Sequence, residues 1–163
     1  MHPFKLNATK QAPKWLLLVL LLAYLSLGWF IYADYGISSD EVIERDNGII
    51  SMRYVGERFG IGKILNDPVI QNTSFMPKLE VYKDRDYPIV FNFTALALER
   101  YLKIPFDEDQ RIYFLRHWLT FLVNIIGIIA VYLLGRQRFN DWRLGLLAAV
   151  FLVFSPRFFA ESF

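Results

Sequence analysis

The sequence predicts an all-α membrane protein: three transmembrane helices, with amphipathic interfacial helices in a long extracytoplasmic loop. Three observations carry this. The chain of 163 residues is 55% hydrophobic and 17% aromatic, with only 21% charged residues. Its charges are clustered, and none falls in 15–33, 118–135 or 144–156. Its lysines and arginines are also unevenly placed along the chain. A soluble domain of this length alternates polar and apolar residues more evenly.

Residues 1–14 read as a cytoplasmic tail, with Lys5, Lys10 and Lys14 and no acid. The first span is 15–33. Its 19 apolar residues approach the ~20 that cross the hydrocarbon core. A secretory signal has a shorter apolar region and a small-residue cleavage site. Here the run ends in Gly28, Trp29, Phe30, Ile31 and Tyr32, so a retained anchor is expected. Trp15, Trp29 and Tyr32 suit the aromatic belts of a membrane interface.

Residues 34–113 form the expected extracytoplasmic loop. Ser38 to Glu41 fits a capping box that opens a helix, and Ile43, Ile50 and Tyr54 follow at helical spacing. Asn47 and Gly48 weaken that reading, because the dipeptide favours turns. From Gly60 to Pro88, glycines and prolines predict irregular structure. A second helix is expected over Ile89–Lys103, with Ile89, Phe93, Leu96, Ala97 and Tyr101 on an apolar face. Asn92, Glu99 and Lys103 lie opposite, the pattern of a helix in the interface plane. Asp107 and Gln110 read as a further capping box.

The second span is expected at 114–135, a cytoplasmic link at 136–142 and a third span at 143–159. Residues 160–163 read as a truncated end. The link and the first residue beyond it carry Arg136, Arg138 and Arg143 against Asp141, whereas the segment from Asp34 to Arg116 has fourteen acids and eleven bases. Positive segments stay cytoplasmic. The N-terminus is therefore expected inside, the long loop outside and the link inside. No span contains a mid-depth charge or a clear break, although Pro156 leaves the third apolar run short. The absence of cysteine excludes disulfide staples. No phosphate-binding glycine loop, metal-ligand spacing or Ser/His/Asp set is present. Asn72 and Asn92 each begin a glycosylation tripeptide, a common chance match.

The remaining feature is the acidic pair Asp40 and Glu41, seven residues beyond the first charge-free run. Carboxylates near hydrocarbon are costly and tend to be functional. Acids in the first turn of a helix also offset its dipole, by ~0.3–1 kcal/mol. Two stretches, Gly36 to Glu41 and Ser155 to Ala160, keep a fixed order relative to the spans, with Arg116 and His117 as a weaker third. In this order the chain resembles the N-terminal part of a C-type (GT-C) integral-membrane glycosyltransferase of the protein O-mannosyltransferase-like group. Glu161 departs from the smaller or imidazole side chain of many relatives.

The resemblance implies transfer of a sugar from a polyprenyl-phosphate donor to a hydroxyl acceptor on protein or glycolipid, at the extracytoplasmic face. Asp40 and Glu41 would be the catalytic residues, with Asp40 as base, and the 163-residue chain is expected to be inactive alone. Arg157, Glu161 and His117 would bind substrate, Arg157 by a forked contact to phosphate. Arg157 also reads as a snorkelling arginine, and His117 as an interfacial histidine. No cofactor, protein metal site or nucleic-acid partner is expected, and a divalent metal is left open. The partners are the lipid-linked sugar, the acceptor and the bilayer. The expected location is a bacterial or archaeal plasma membrane. The second reading is a small non-catalytic membrane scaffold or assembly subunit.

Overall fold

The computed structural model describes residues 14–163; the expected cytoplasmic lysines Lys5 and Lys10 lie outside the described residues. Among the described residues every regular element is helical and no strand occurs. The order is α1 (Lys14–Ile31), α2 (Ser39–Phe59), α3 (Gly62–Leu65), α4 (Pro68–Asn72), a 3-10 turn (Leu79–Val81), α5 (Val90–Tyr101), α6 (Asp109–Phe139), α7 (Trp142–Val153) and α8 (Pro156–Ala160). The chain divides into two units. One holds residues 14–35 and His117–Phe163, the other Gly36–Arg116.

The first unit packs α1, α7, α8 and most of α6 around Tyr24, Phe121, Ile128, Tyr132 and Ala149. Its outward side chains are equally apolar. Leu18, Val19 and Phe30 on α1, Val123, Ile126 and Leu134 on α6, and Leu147 and Phe151 on α7 are all exposed. Only 17% of the most apolar stretch of α6 is buried. A water-soluble helix that is apolar all round would be buried on every side. By length and composition, α6 is the helix among the described residues able to cross a membrane; Trp15–Ile31 and Trp142–Val153 are shorter apolar helices.

Two boundaries differ from expectation. Helix α6 starts before 114 and continues past 135, so the link shrinks to Asn140 and Asp141. Asn140 takes a left-handed φ of 52°, and Asp141 caps α7 by accepting the Arg143 N–H at 2.8 Å. The third apolar stretch is not one helix over 143–159. Helix α7 stops at Val153 because Pro156 has no N–H to continue the ladder, and α8 starts afresh there. A break within this stretch was not expected.

The second unit is built on α2. Ser38 forms the expected capping box, accepting the Glu41 N–H at 3.3 Å while its own N–H donates to Glu41 Oε1 at 3.0 Å. Gly60, at φ 63°, closes the helix. Asn47 and Gly48 do not interrupt it; they are buried in its middle. A Cβ on Gly48 would lie 2.8 Å from the Asn92 carbonyl oxygen, so this glycine lets α5 approach the α2 backbone. Ile49, Met52, Val69, Ile70 and Leu96 form the apolar core between α2, α4 and α5.

The segment 60–88 is irregular as expected, apart from its short helices, and side chains tie it down. Arg53 donates to the carbonyls of Thr73 (3.3 Å), Met76 (3.0 Å) and Pro77. Asp67 caps α4 at Val69 and pairs with Arg100 at 2.9 Å. Helix α5 presents a different face from the one expected. Asn92, Ala95, Leu96 and Glu99 are buried, while Val90 and Tyr101 are 80% and 81% exposed. The polar residues point inward because arginines from α2 and α6 meet them there. Helix α6 begins at Asp109, so Asp107 lies outside it and is not its N-cap.

Candidate functional site

Asp40 and Glu41 occupy the first turn of α2, where the capping box fixes the helix start. The box divides their labour. Glu41 gives Oε1 to the Ser38 N–H, a structural duty. Asp40 is exposed and makes no hydrogen bond or ion pair among the described residues. Its carboxylate is therefore free to accept a proton or a donor from outside the protein. One turn later comes Glu44, half-buried, with Oε2 4.0 Å from Arg116 Nη2. Burial pushes the Glu44 pKa up, Arg116 opposes that shift, and Glu41 and Asp40 add to it.

Behind the acidic turn lies a buried charge network. Glu99 Oε2 is 3.6 Å from Arg45 Nε, and Glu99 Oε1 is 3.6 Å from Arg116 Nη1. Arg116 Nη2 donates to Asn92 Oδ1 at 2.6 Å. Arg45 also approaches Asp109 Oδ1 at 3.8 Å and stacks over Phe106 at 5.3 Å, while Arg116 lies 5.8 Å from the Phe91 ring centre. Burial raises the Glu99 pKa, against the pull of Arg45, Arg116 and Arg100. The two guanidiniums outnumber the fully buried carboxylate, and Arg45 Nε and Nη2 and Arg116 Nη1 make no hydrogen bond among the described residues. The network joins α2, α5 and the start of α6.

Sequence reasoning did not find this network. The available signal was the i, i+7 placement of Asn92 and Glu99 on one helical face, together with an arginine just before an apolar run. In the folded chain Asn92 is not an accessible glycosylation acceptor, since only 3% of the residue is exposed and its side-chain nitrogen donates to the Pro88 carbonyl at 3.4 Å.

The other expected site residues belong to the first unit. His117 is buried, with Nδ1 3.4 Å from the Tyr32 carbonyl oxygen. An Nδ1–H donates there, to a carbonyl just past the end of α1. This gives His117 a capping duty. Trp118 packs against Trp29 at 5.5 Å and Tyr32 at 5.0 Å, an aromatic cluster where α1 ends. Arg157 and Glu161 lie one turn apart on the α8 segment, and both are exposed. Between and beside them, Phe159 and Ser162 turn inward. Tyr24 donates to Ser162 Oγ at 2.7 Å, Ser162 donates to the Phe158 carbonyl at 2.6 Å, and Phe163 stacks on Phe121 and Tyr35. Thus the acidic pair falls in one unit and Arg157, Glu161 and His117 in the other.

No group of three or more His, Asp or Glu side chains suited to a metal occurs among the described residues. Comparison with protein-family models, curated proteins and solved structures returned no match.

Proposed function

We propose that this chain supplies the base and a phosphate-binding residue to a multi-pass membrane glycosyltransferase of the C-type, protein O-mannosyltransferase-like kind. The observation that carries this is Asp40: an exposed carboxylate, spared by the capping box, on the helix that follows the first apolar helix. The spans would be α1, α6 and the α7–α8 pair, with the long loop outside the cytoplasm. Their outward apolar faces support that placement, as does the spacing of their ends. From Trp118 to Arg136, α6 rises ~27 Å, and from Trp15 to Tyr32, α1 rises ~26 Å, close to the hydrocarbon thickness.

In this reading the Asp40 carboxylate takes the proton of an acceptor hydroxyl as its oxygen bonds to the anomeric carbon. The bond from that carbon to the phosphate oxygen breaks, and polyprenyl phosphate leaves with the electron pair. Arg157 meets the charge that develops on the phosphate. The test is sugar transfer from a labelled polyprenyl-phosphate donor in membranes carrying the whole enzyme. Asp40→Asn is expected to lower the rate ~10²–10⁴-fold, the usual loss for a general base. An unchanged rate would return the acidic pair to helix capping and remove the enzymatic reading.

A further inference from the structure

Three arginines meet at the tip of the hairpin formed by α6 and α7. Arg136 stands where the two helices touch: a Cβ on Gly145 would lie 2.9 Å from the Arg136 backbone nitrogen and 3.1 Å from its Cβ. Arg138 is two residues further along α6, and Arg143 is two residues before Gly145 on α7. Only Asn140 and Asp141 separate the helices, so the chain reverses between them. Both steps therefore lead toward the tip, and the three residues emerge within ~3 Å of one level. All three are exposed, and none has an ion-pair partner among the described residues.

Nothing in this part of the sequence balances them. Between Gln110 and Ala160 the only acid is Asp141. It is committed to the cap of α7, where its Oδ1 accepts the Arg143 N–H at 2.8 Å. The helix dipole accounts for Arg136 and Arg138, which meet the carbonyl end of α6. It does not account for Arg143, which lies in the first turn of α7, where the dipole disfavours a cation. The Arg143 guanidinium lies 5.7 Å from the Trp142 ring centre, and both side chains suit a headgroup layer. Within a turn of these arginines, Leu133, Leu134 and Leu147 are exposed. A free phosphate has no use for that apolar flank. A phospholipid does: its phosphate meets the arginines while its chains lie along the leucines.

We propose that the tip of this hairpin binds anionic phospholipid headgroups at the cytoplasmic membrane surface. The inference rests on α6 and α7 crossing the bilayer, and not on glycosyl transfer. The guanidiniums donate forked hydrogen bonds to phosphodiester oxygens. The negative potential of the cytoplasmic leaflet favours the same contact. Arg136 and Arg138 leave α6 on opposite sides, since two residues are ~200° of helix. The tip therefore gathers headgroups around itself instead of holding one in a pocket. The bound lipids supply the negative charge that the chain omits, and they fix the depth of the hairpin.

Lipid selectivity tests this without any assay of activity. The full chain is reconstituted in phosphatidylcholine vesicles holding a trace of phosphatidylglycerol or phosphatidylcholine spin-labelled on the acyl chain. Electron paramagnetic resonance then reads the fraction of label immobilised against the protein. Phosphatidylglycerol should be preferred at least about fivefold, the factor one basic residue supplies at a charged surface. Salt should weaken the preference. Arg136→Gln, Arg138→Gln and Arg143→Gln together should abolish it while phosphatidylcholine stays immobilised as before. Lys63→Gln, Lys78→Gln and Lys83→Gln together remove the same charge from exposed positions in the loop unit and should leave it unchanged. If the native chain immobilises label without headgroup preference, or if the preference survives loss of the three arginines, the proposal is wrong. If millimolar glycerol phosphate displaces the label, the arginines take a free phosphate and the lipid assignment is wrong. If no label is immobilised at all, the membrane placement itself fails and takes the proposal with it.

Discussion

Arg116 Nη1 and Glu99 Oε1 lie 3.6 Å apart, with 2% and 1% of their side chains exposed. They pin the start of α6 to α5, and Arg45 extends the link to α2. Removing one partner of a buried ion pair leaves the other charge uncompensated, at a cost of ~3–5 kcal/mol. Glu99→Met, which leaves Arg45 and Arg116 without their shared buried carboxylate, is therefore expected to destabilise residues 36–116 by that order, measured by thermal unfolding in detergent micelles. Arg111→Met, at an exposed pair with Glu108, should change stability by less than ~1 kcal/mol.

The same burial sets a pH dependence. The pKa values of Glu99, Glu44 and Asp46 are all raised, chiefly by burial. A raised carboxyl binds its proton more tightly in the folded chain than in the unfolded one. Its contribution to stability is complete below the unfolded pKa and is lost as pH rises through the folded value. Unfolding scans from about pH 4 upward should show these groups eroding stability as they ionise. Glu99→Gln should flatten its share of that slope; an unchanged slope would show that Glu99 ionises as readily folded as unfolded.

Gly48 predicts a steric effect. Its missing Cβ would sit 2.8 Å from the Asn92 oxygen, a backbone atom that cannot swing aside. Gly48→Ala should force α2 and α5 apart and destabilise by ~1–3 kcal/mol. Gly62→Ala, with nothing within 4 Å of its Cβ, is the control. Equal unfolding midpoints for the two variants would show that the approach is not tight.

The acidic pair separates by substitution. Glu41→Gln keeps the capping box, since glutamine serves at that position. It is expected to leave stability within ~0.5 kcal/mol and sugar transfer largely intact. Ser38→Ala should cost ~1 kcal/mol of helix stability while retaining the base. Loss of transfer in Glu41→Gln, equal to that in Asp40→Asn, would move the chemistry onto both carboxylates.

Much of this was legible in the sequence, and the failures share a cause. The capping box at Ser38 and the helices near 15–33, 90–101 and 114–135 follow from local rules. Those rules assume that polar faces point outward. They placed Asn92 and Glu99 on the solvent side of α5, because the arginines that receive them lie 17 or more positions away in the chain. They also count Asn47 and Gly48 against the helix, where the glycine serves a helix crossing. Pro156 was visible as a stop signal. The packing of the segment beyond it was not, because that depends on Ser162 reaching Tyr24 and Phe163 reaching Phe121.

The contact between α6 and α7 bears on how the chain assembles. A Cβ on Gly145 would lie 2.5 Å from the Tyr132 oxygen, and one on Gly135 3.0 Å from the Gly145 Cα, so the two backbones touch. Only Asn140 and Asp141 separate the helices. A pair joined by so short a connector, and keyed by two glycines, has one register. Sliding α7 by one residue would drive Leu144 or Leu146 into the α6 backbone. Residues 117–153 can therefore pair as a helical hairpin as soon as the two helices have formed, and α7 need not search along α6 for its register.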